Sequence, residues 1–179
     1  MNPPAESAQP DSPDHVDLVR EQWREVRPDL DTAPVGIVAR VGRIAAYFDQ
    51  STNALMDGYG LSRSSWDVLA SLRRVGPPYE RSPTDLYRGL MRTSGTMTNR
   101  LTRLEQAGLI ERLPDPDDGR GRLVRLTARG LGLVDRVAPV HVQNERRLLR
   151  SLGDADLATL ERLLRRLLGE LERPEAGPP

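Results

Sequence analysis

Cysteine is absent from the 179 residues, and so is lysine. Without cysteine there is no disulfide, no thiol redox chemistry and no sulfur-ligated metal. Histidine occurs only at His15 and His141, far apart and without ligand spacing, so neither a metal site nor a cofactor is expected. Aromatic residues make up just 4% of a chain that is 29% charged, a composition that suits a helix-rich protein. No apolar run approaches the roughly 20 residues of a membrane span, and the polar N-terminus has no signal-peptide core. A cytoplasmic location with no membrane partner is therefore expected. An excess of one charge is lacking too, since 26 basic side chains balance 26 acidic ones. That neutrality does not exclude nucleic acid, because counterion release depends only on the groups that meet phosphate. Arginine for every basic position has two readings: bidentate recognition of guanine and phosphate, or the codon bias of a GC-rich genome.

What the sequence does contain is helical periodicity inside polar, proline-rich ends. Residues 1–12 and 174–179 read as disordered tails. Val16, Val19, Trp23 and Val26 give one apolar stripe over 14–26. After RPDLDTAP, a long helix runs from Val35 to about Tyr59 and ends at Gly60. A third spans about Arg63 to Val75, with Trp66, Leu69 and Leu72 inward, and Gly76-Pro77-Pro78 stops it. Ser82-Pro83-Thr84-Asp85 opens a short helix to about Leu90, with cap, proline and acid in order. Another helix covers about Ser94 to Ala107 and closes at Gly108. Then the period changes: Leu109 to Leu113 and Arg122 to Leu126 read as strands around a turn at 114–121. Thr127 caps a helix to about Leu152 that Pro139 should bend, and a leucine-faced helix follows over 154–172. Helix, turn, helix and hairpin is the order of a winged helix-turn-helix, placing the chain in the mainly α class. The divisions are N-terminal helices over 13–62, the winged unit over 63–127 and C-terminal helices over 128–173.

In the second helix of the helix-turn-helix, Met97, Leu101, Leu104 and Leu109 share the inward side. Opposite lie small polar and basic groups instead of the Glu and Lys of a plain solvated face. Thr93, Ser94, Gly95, Thr96, Thr98 and Thr102 allow close approach to phosphate; Asn99 suits adenine and Arg103 suits guanine. In the hairpin, Arg120, Arg122 and Arg125 are candidates for a narrow minor groove, while Asp115 and Asp118 read as turn-forming partners of Arg120. Arg100 falls at the border of the apolar side, where partial burial demands a carboxylate or an anion. Asp67 is the candidate partner, with a plain interhelical salt bridge as the simpler alternative.

The run SGTMTNRLTRLEQAGLIERLPDPDDGRGRLVRLTARG resembles the recognition-helix-to-wing signature of the MarR family of bacterial regulators. Its TNRL-x-RLE-x-x-GLI-x-R segment, DP-x-D-x-R wing and LT-x-x-G helix start are correctly spaced, and the resemblance covers about residues 12–172. It implies a homodimer joined through the N- and C-terminal helices, which binds a palindromic operator in double-stranded DNA. It also implies repression relieved by a small molecule. The added N-terminal helix with Trp23, the following RPDLD, the WDVL segment and the PP after the third helix resemble the urate-responsive branch, which has trans-aconitate- and citrate-responsive relatives. That resemblance implies ligand positions at Trp23, Asp67, Arg100 and Arg112, a receptor for a small anion.

Two rivals remain. An Arg pair beside an Asp suits an enzyme acting on a carboxylate, but no histidine, cysteine, glycine-rich phosphate loop or suitably spaced acid pair accompanies it, so no enzyme is expected. The second is an effector-independent winged-helix module for DNA or protein contacts, which discrete footprinting would separate from a regulator.

Overall fold

The computed structural model describes residues 12–90, 97–116 and 121–173. The expected tails and the positions Thr93, Ser94, Gly95, Thr96, Asp118 and Arg120 thus lie outside the described residues, residue 12 excepted. Two compact units make up the chain, 1–50 and 51–179, and they divide inside a helix.

In the first unit, α1 (His15–Val26) starts at a reciprocal cap: Asp14 accepts from the backbone of Val16 and Asp17, and Asp17 accepts from the Asp14 N–H. The following helix, α2 (Ala33–Asp57), brings Arg40 onto that cap. Its Nε lies 2.7 Å from Asp14 Oδ2 and its Nη2 lies 2.7 Å from Asp17 Oδ2, while Nη1 donates to the Gly36 carbonyl. The guanidinium thereby ties the start of α1 to α2. Val16 is buried, but Trp23, Val26, Ile37, Val38, Val41 and Ile44 are exposed, so the apolar stripes of both helices are largely uncovered.

The second unit is built around α3 (Arg63–Arg74), whose Trp66, Val68, Leu69 and Leu72 are buried. Strand β1 (Glu80–Arg81) leads into α4 (Pro83–Gly89), capped by Ser82 as the sequence predicts. Helix α5 (Met97–Gln106) then ends at Gly108, whose φ of +67° a side chain would resist. Strands β2 (Ile110–Pro114) and β3 (Arg122–Leu126) form the hairpin, and the antiparallel sheet has the order β1-β3-β2. Helix α6 (Ala128–Leu148) is capped by Thr127 and α7 (Asp154–Leu171) closes the described chain. Met56, Leu86, Leu101, Leu104, Ile110, Val124 and Val134 join α3 in one core, so the helix-turn-helix and the hairpin share their support.

Four features differ from, or sharpen, the sequence expectation. Strand β1 has no sequence signal: Glu80 and Arg81 are polar, and their pairing with Arg125 and Val124 across the sheet makes them a strand. Helix α2 stops at Asp57, two residues early, and Gly60 (φ +68°) turns the chain toward α3. Helix α6 continues without interruption through Pro139. The leucine side of α7 contains no buried residue, leaving Leu163, Leu164, Leu167 and Leu171 open.

Candidate functional site

Helix α5 presents different chemistry along its different sides. Leu101 and Leu104 are buried in the core, and Met97 packs at its edge. Thr98, Asn99 and Arg103 are exposed, as a reading surface requires. Thr102 is only half-buried and already engaged: its hydroxyl donates to the Thr98 carbonyl at 3.0 Å and accepts from Arg112 Nη2 at 3.0 Å. Its single proton is therefore spent within the helix, which leaves none for a phosphate oxygen.

In the hairpin, the Asp115 N–H donates to the Gly121 carbonyl and helps close the turn. Arg122 opens β3 opposite Pro114 and is exposed. Arg125 sits in the middle strand between Glu111 and Glu80, bonding the first at 2.9 Å and lying 3.8 Å from the second. That cross-strand pairing accounts for Arg125 as a sheet residue.

A cavity of about 540 Å³ opens among α3, α4 and α6 in the second unit. Arg63, Trp66, Asp67, Arg74, Leu90 and His141 are among its walls. Burial pushes the Asp67 carboxyl above its usual range, against the opposing pull of Arg63, Arg100, His141 and Arg74. Arg100, only 7% exposed, is thus part of the electrostatic surroundings of Asp67, as the sequence suggested. Trp66 and His141 meet edge to face with ring centroids 5.4 Å apart. His141 Nε2 lies 3.3 Å from Glu145, while its Nδ1 is buried without a hydrogen-bond partner.

Of the four ligand positions inferred from resemblance, three lie in the second unit, and two of those are brought together. Asp67 and Arg100 interact. Arg112 instead lies against Thr98, Thr102 and Glu105. Those residues fall about half a turn of α5 away from Arg100. Trp23 belongs to the first unit, where it is 43% exposed. Sequence reasoning missed Arg63, Trp66 and His141 as companions of Asp67. The Arg63–Asp67 spacing of four was an available signal. Trp66 read simply as core, and His141 as an isolated imidazole.

Comparison with known proteins places this geometry in context. A family model described as the MarR family matches residues 59–121, from before α3 to the wing. The HTH-type transcriptional regulator PecS of Dickeya dadantii (strain 3937) is 39% identical over 158 residues, covering 88% of this chain and 93% of that protein. The multiple antibiotic resistance protein MarR of Salmonella typhimurium is 32% identical over 133 residues, covering 72% and 90%. Among solved structures, a mutant MarR from E. coli complexed with operator DNA matches with a TM-score of 0.67 and 27% identity, covering 82% of this chain and 97% of that one. AbsC, a MarR family transcriptional regulator from Streptomyces coelicolor, matches in fold with a TM-score of 0.70 at 24% identity, covering 81% and 97%.

Proposed function

The chain belongs to the MarR family of winged-helix, DNA-binding transcriptional regulators, and from that premise we propose a repressor that a small anion releases from its operator. A homodimer places one α5 in each half of a palindrome, with two-fold symmetry setting the helices about 34 Å apart. Thr98, Asn99, Arg103 and Arg122 contact the DNA, together with the neighbouring sequence positions Thr93 to Thr96 and Arg120. The anion enters the cavity beside Asp67.

One observation carries this reading: the helix that exposes Thr98, Asn99 and Arg103 also buries Arg100 within the electrostatic reach of a cavity-lining carboxylate. An incoming carboxylate or enolate competes with Asp67 for Arg63 and Arg100 and offers its flat face to the Trp66 indole. Drawing on Arg100 from the cavity side shifts α5 relative to the DNA. Linkage then requires DNA to weaken anion binding by the same factor, a coupling of about 1–3 kcal/mol. The homodimer is supported, in each unit by itself, by apolar side chains exposed along one helix: the leucines of α7 in the second unit and the stripe of α2 in the first.

Thermal melting with urate, xanthine, trans-aconitate, citrate and salicylate tests the anion. A ligand at ~100 times its dissociation constant stabilises the fold by about 2.7 kcal/mol. One compound should raise the midpoint, release footprinted operator and lose both effects in Arg100→Ala. A variant that still releases DNA normally would remove Arg100 from the switch. Smeared protection in place of a discrete palindrome would favour an effector-independent DNA-binding module.

A further inference from the structure

We infer that Arg112 is a positioning residue for operator reading, a brace that fixes the wing against the recognition helix through Thr102. The inference rests on α5 being the reading helix and goes beyond it. Arg112 stands on β2, paired in register with Val124 of β3, so its backbone belongs to the hairpin. Its guanidinium crosses to α5, donating to Thr102 Oγ1 at 3.0 Å and to the Thr98 carbonyl at 3.5 Å, with Nε 3.4 Å from Glu105 Oε2. Thr98, Thr102 and Glu105 follow one another at four- and three-residue spacing, so one side chain grips nearly two turns of the same helix flank.

The hydroxyl of Thr102 completes the brace. It donates a hydrogen bond to the Thr98 carbonyl and accepts one from Arg112, and Thr98 adjoins the exposed Asn99. The direction of Thr98 and Asn99 is therefore coupled to the hairpin by two linked hydrogen bonds. The side chain is only 31% exposed and is partly neutralised by Glu105, a setting for holding geometry more than for attracting phosphate. Both hydrogen bonds leave from Nη2, while Nε makes none and faces the Glu105 carboxylate 3.4 Å away. The breadth of the planar guanidinium lets it meet all three groups at once, and the compact ammonium of lysine has no such breadth. Loosening the brace leaves the charges that meet the backbone in place but broadens the angle between helix and wing. Its cost thus falls on the correct sequence and spares DNA in general.

The test measures affinity for operator and for scrambled DNA across salt concentrations, using full-length Arg112→Ala, Arg112→Lys, Thr102→Val and the Arg112→Ala/Thr102→Val double variant. Arg112→Ala should lower the operator-to-scrambled ratio by about tenfold, in the range by which coupled neighbours act, with the salt slope unchanged. Thr102→Val should lose a similar factor, the double variant little more, and Arg112→Lys should not restore the ratio. A salt slope reduced by about one with the ratio preserved would make Arg112 a phosphate contact and overturn the inference. Additive losses, or full rescue by lysine, would overturn it as well. Thr102→Val removes only the hydroxyl and keeps the side-chain shape, so the outcome stands even where Arg112→Ala melts early. Arg103→Ala and Asn99→Ala in the same assay report on the premise: if both leave operator binding intact, α5 is not the reading helix and the premise fails, whereas losses in either with an unchanged ratio in Arg112→Ala overturn the brace alone.

Discussion

A Cβ placed on Gly130 would stand 2.0 Å from the Leu109 carbonyl oxygen, closer than any real side chain approaches a backbone atom. The same junction holds the Thr127 hydroxyl against the Gly108 carbonyl at 2.7 Å and the Thr127 N–H against Leu109. The end of α5, the start of β2 and the start of α6 thus meet where only glycine fits. Gly130→Ala gains up to ~1 kcal/mol of helix propensity but forces backbone apart, which costs about 1–3 kcal/mol or more. A net loss of stability is expected, read as a lower urea midpoint with an unchanged slope. An unchanged midpoint would mean that α6 slides away from β2 freely, contradicting the tight joint.

Asp67 offers a test of opposite sign. Its folded-state pKa lies above the ordinary carboxylate value because burial outweighs the arginines around it. Between the unfolded value and the raised one, the folded protein binds more protons than the unfolded chain, so stability falls as pH rises through that window. Asp67→Asn mimics the protonated form. It should melt higher than the wild type at neutral pH without ligand, and the difference should shrink on acidification as Asp67 itself takes up a proton. A variant that melts lower at neutral pH would show that the attraction of the surrounding arginines for the Asp67 carboxylate outweighs its burial.

On the proposed reading, the exposed side of α5 makes separable demands on DNA. Arg103→Ala is expected to weaken operator binding and, where the guanidinium meets phosphate, to reduce the salt slope by about one. Asn99→Ala is expected to cost about 1–3 kcal/mol at one base pair while leaving the slope alone, the signature of a base-edge contact. Competition binding against single-base operator variants distinguishes the two. Equal losses on every sequence for Asn99→Ala would move it from base reading to backbone positioning.

Much of the architecture was legible because local rules and tertiary structure agree. Ser82-Pro83 and Thr127 cap the helices as their types require, and the alternation in Arg122 to Leu126 marks a strand. Strand β1 was not legible, since nothing in Glu80 and Arg81 favours extension until Glu111, Arg125 and Glu80 line up across three strands. At the site, helical geometry placed Arg100 at the border of the apolar side and Asn99 opposite it. It said less about Arg112, whose direction depends on how the hairpin packs on α5 and not on any spacing along the chain. Trp66 and His141 were illegible as cavity walls for a related reason. An indole at a core position reads as core whether or not a cavity opens beside it.

The first unit carries its own acid-sensitive joint. Arg40 holds Asp14 and Asp17 below the ordinary carboxylate range, chiefly through its hydrogen bonds to them, and those same carboxylates cap α1. Groups with a depressed folded-state pKa stabilise above the unfolded value, and that stabilisation is lost as pH falls through the folded one. Acidification should therefore loosen the start of α1 by removing cap and latch together. Arg40→Gln should loosen it at neutral pH, because the cap survives but its tie to α2 does not. Amide hydrogen exchange resolves the two: faster exchange over His15–Val26 is expected in Arg40→Gln, with Arg63–Arg74 and Arg122–Leu126 unaffected. If α1 keeps its protection in that variant, the helix is held by contacts other than Arg40, and acid should then act on it only through the lost cap.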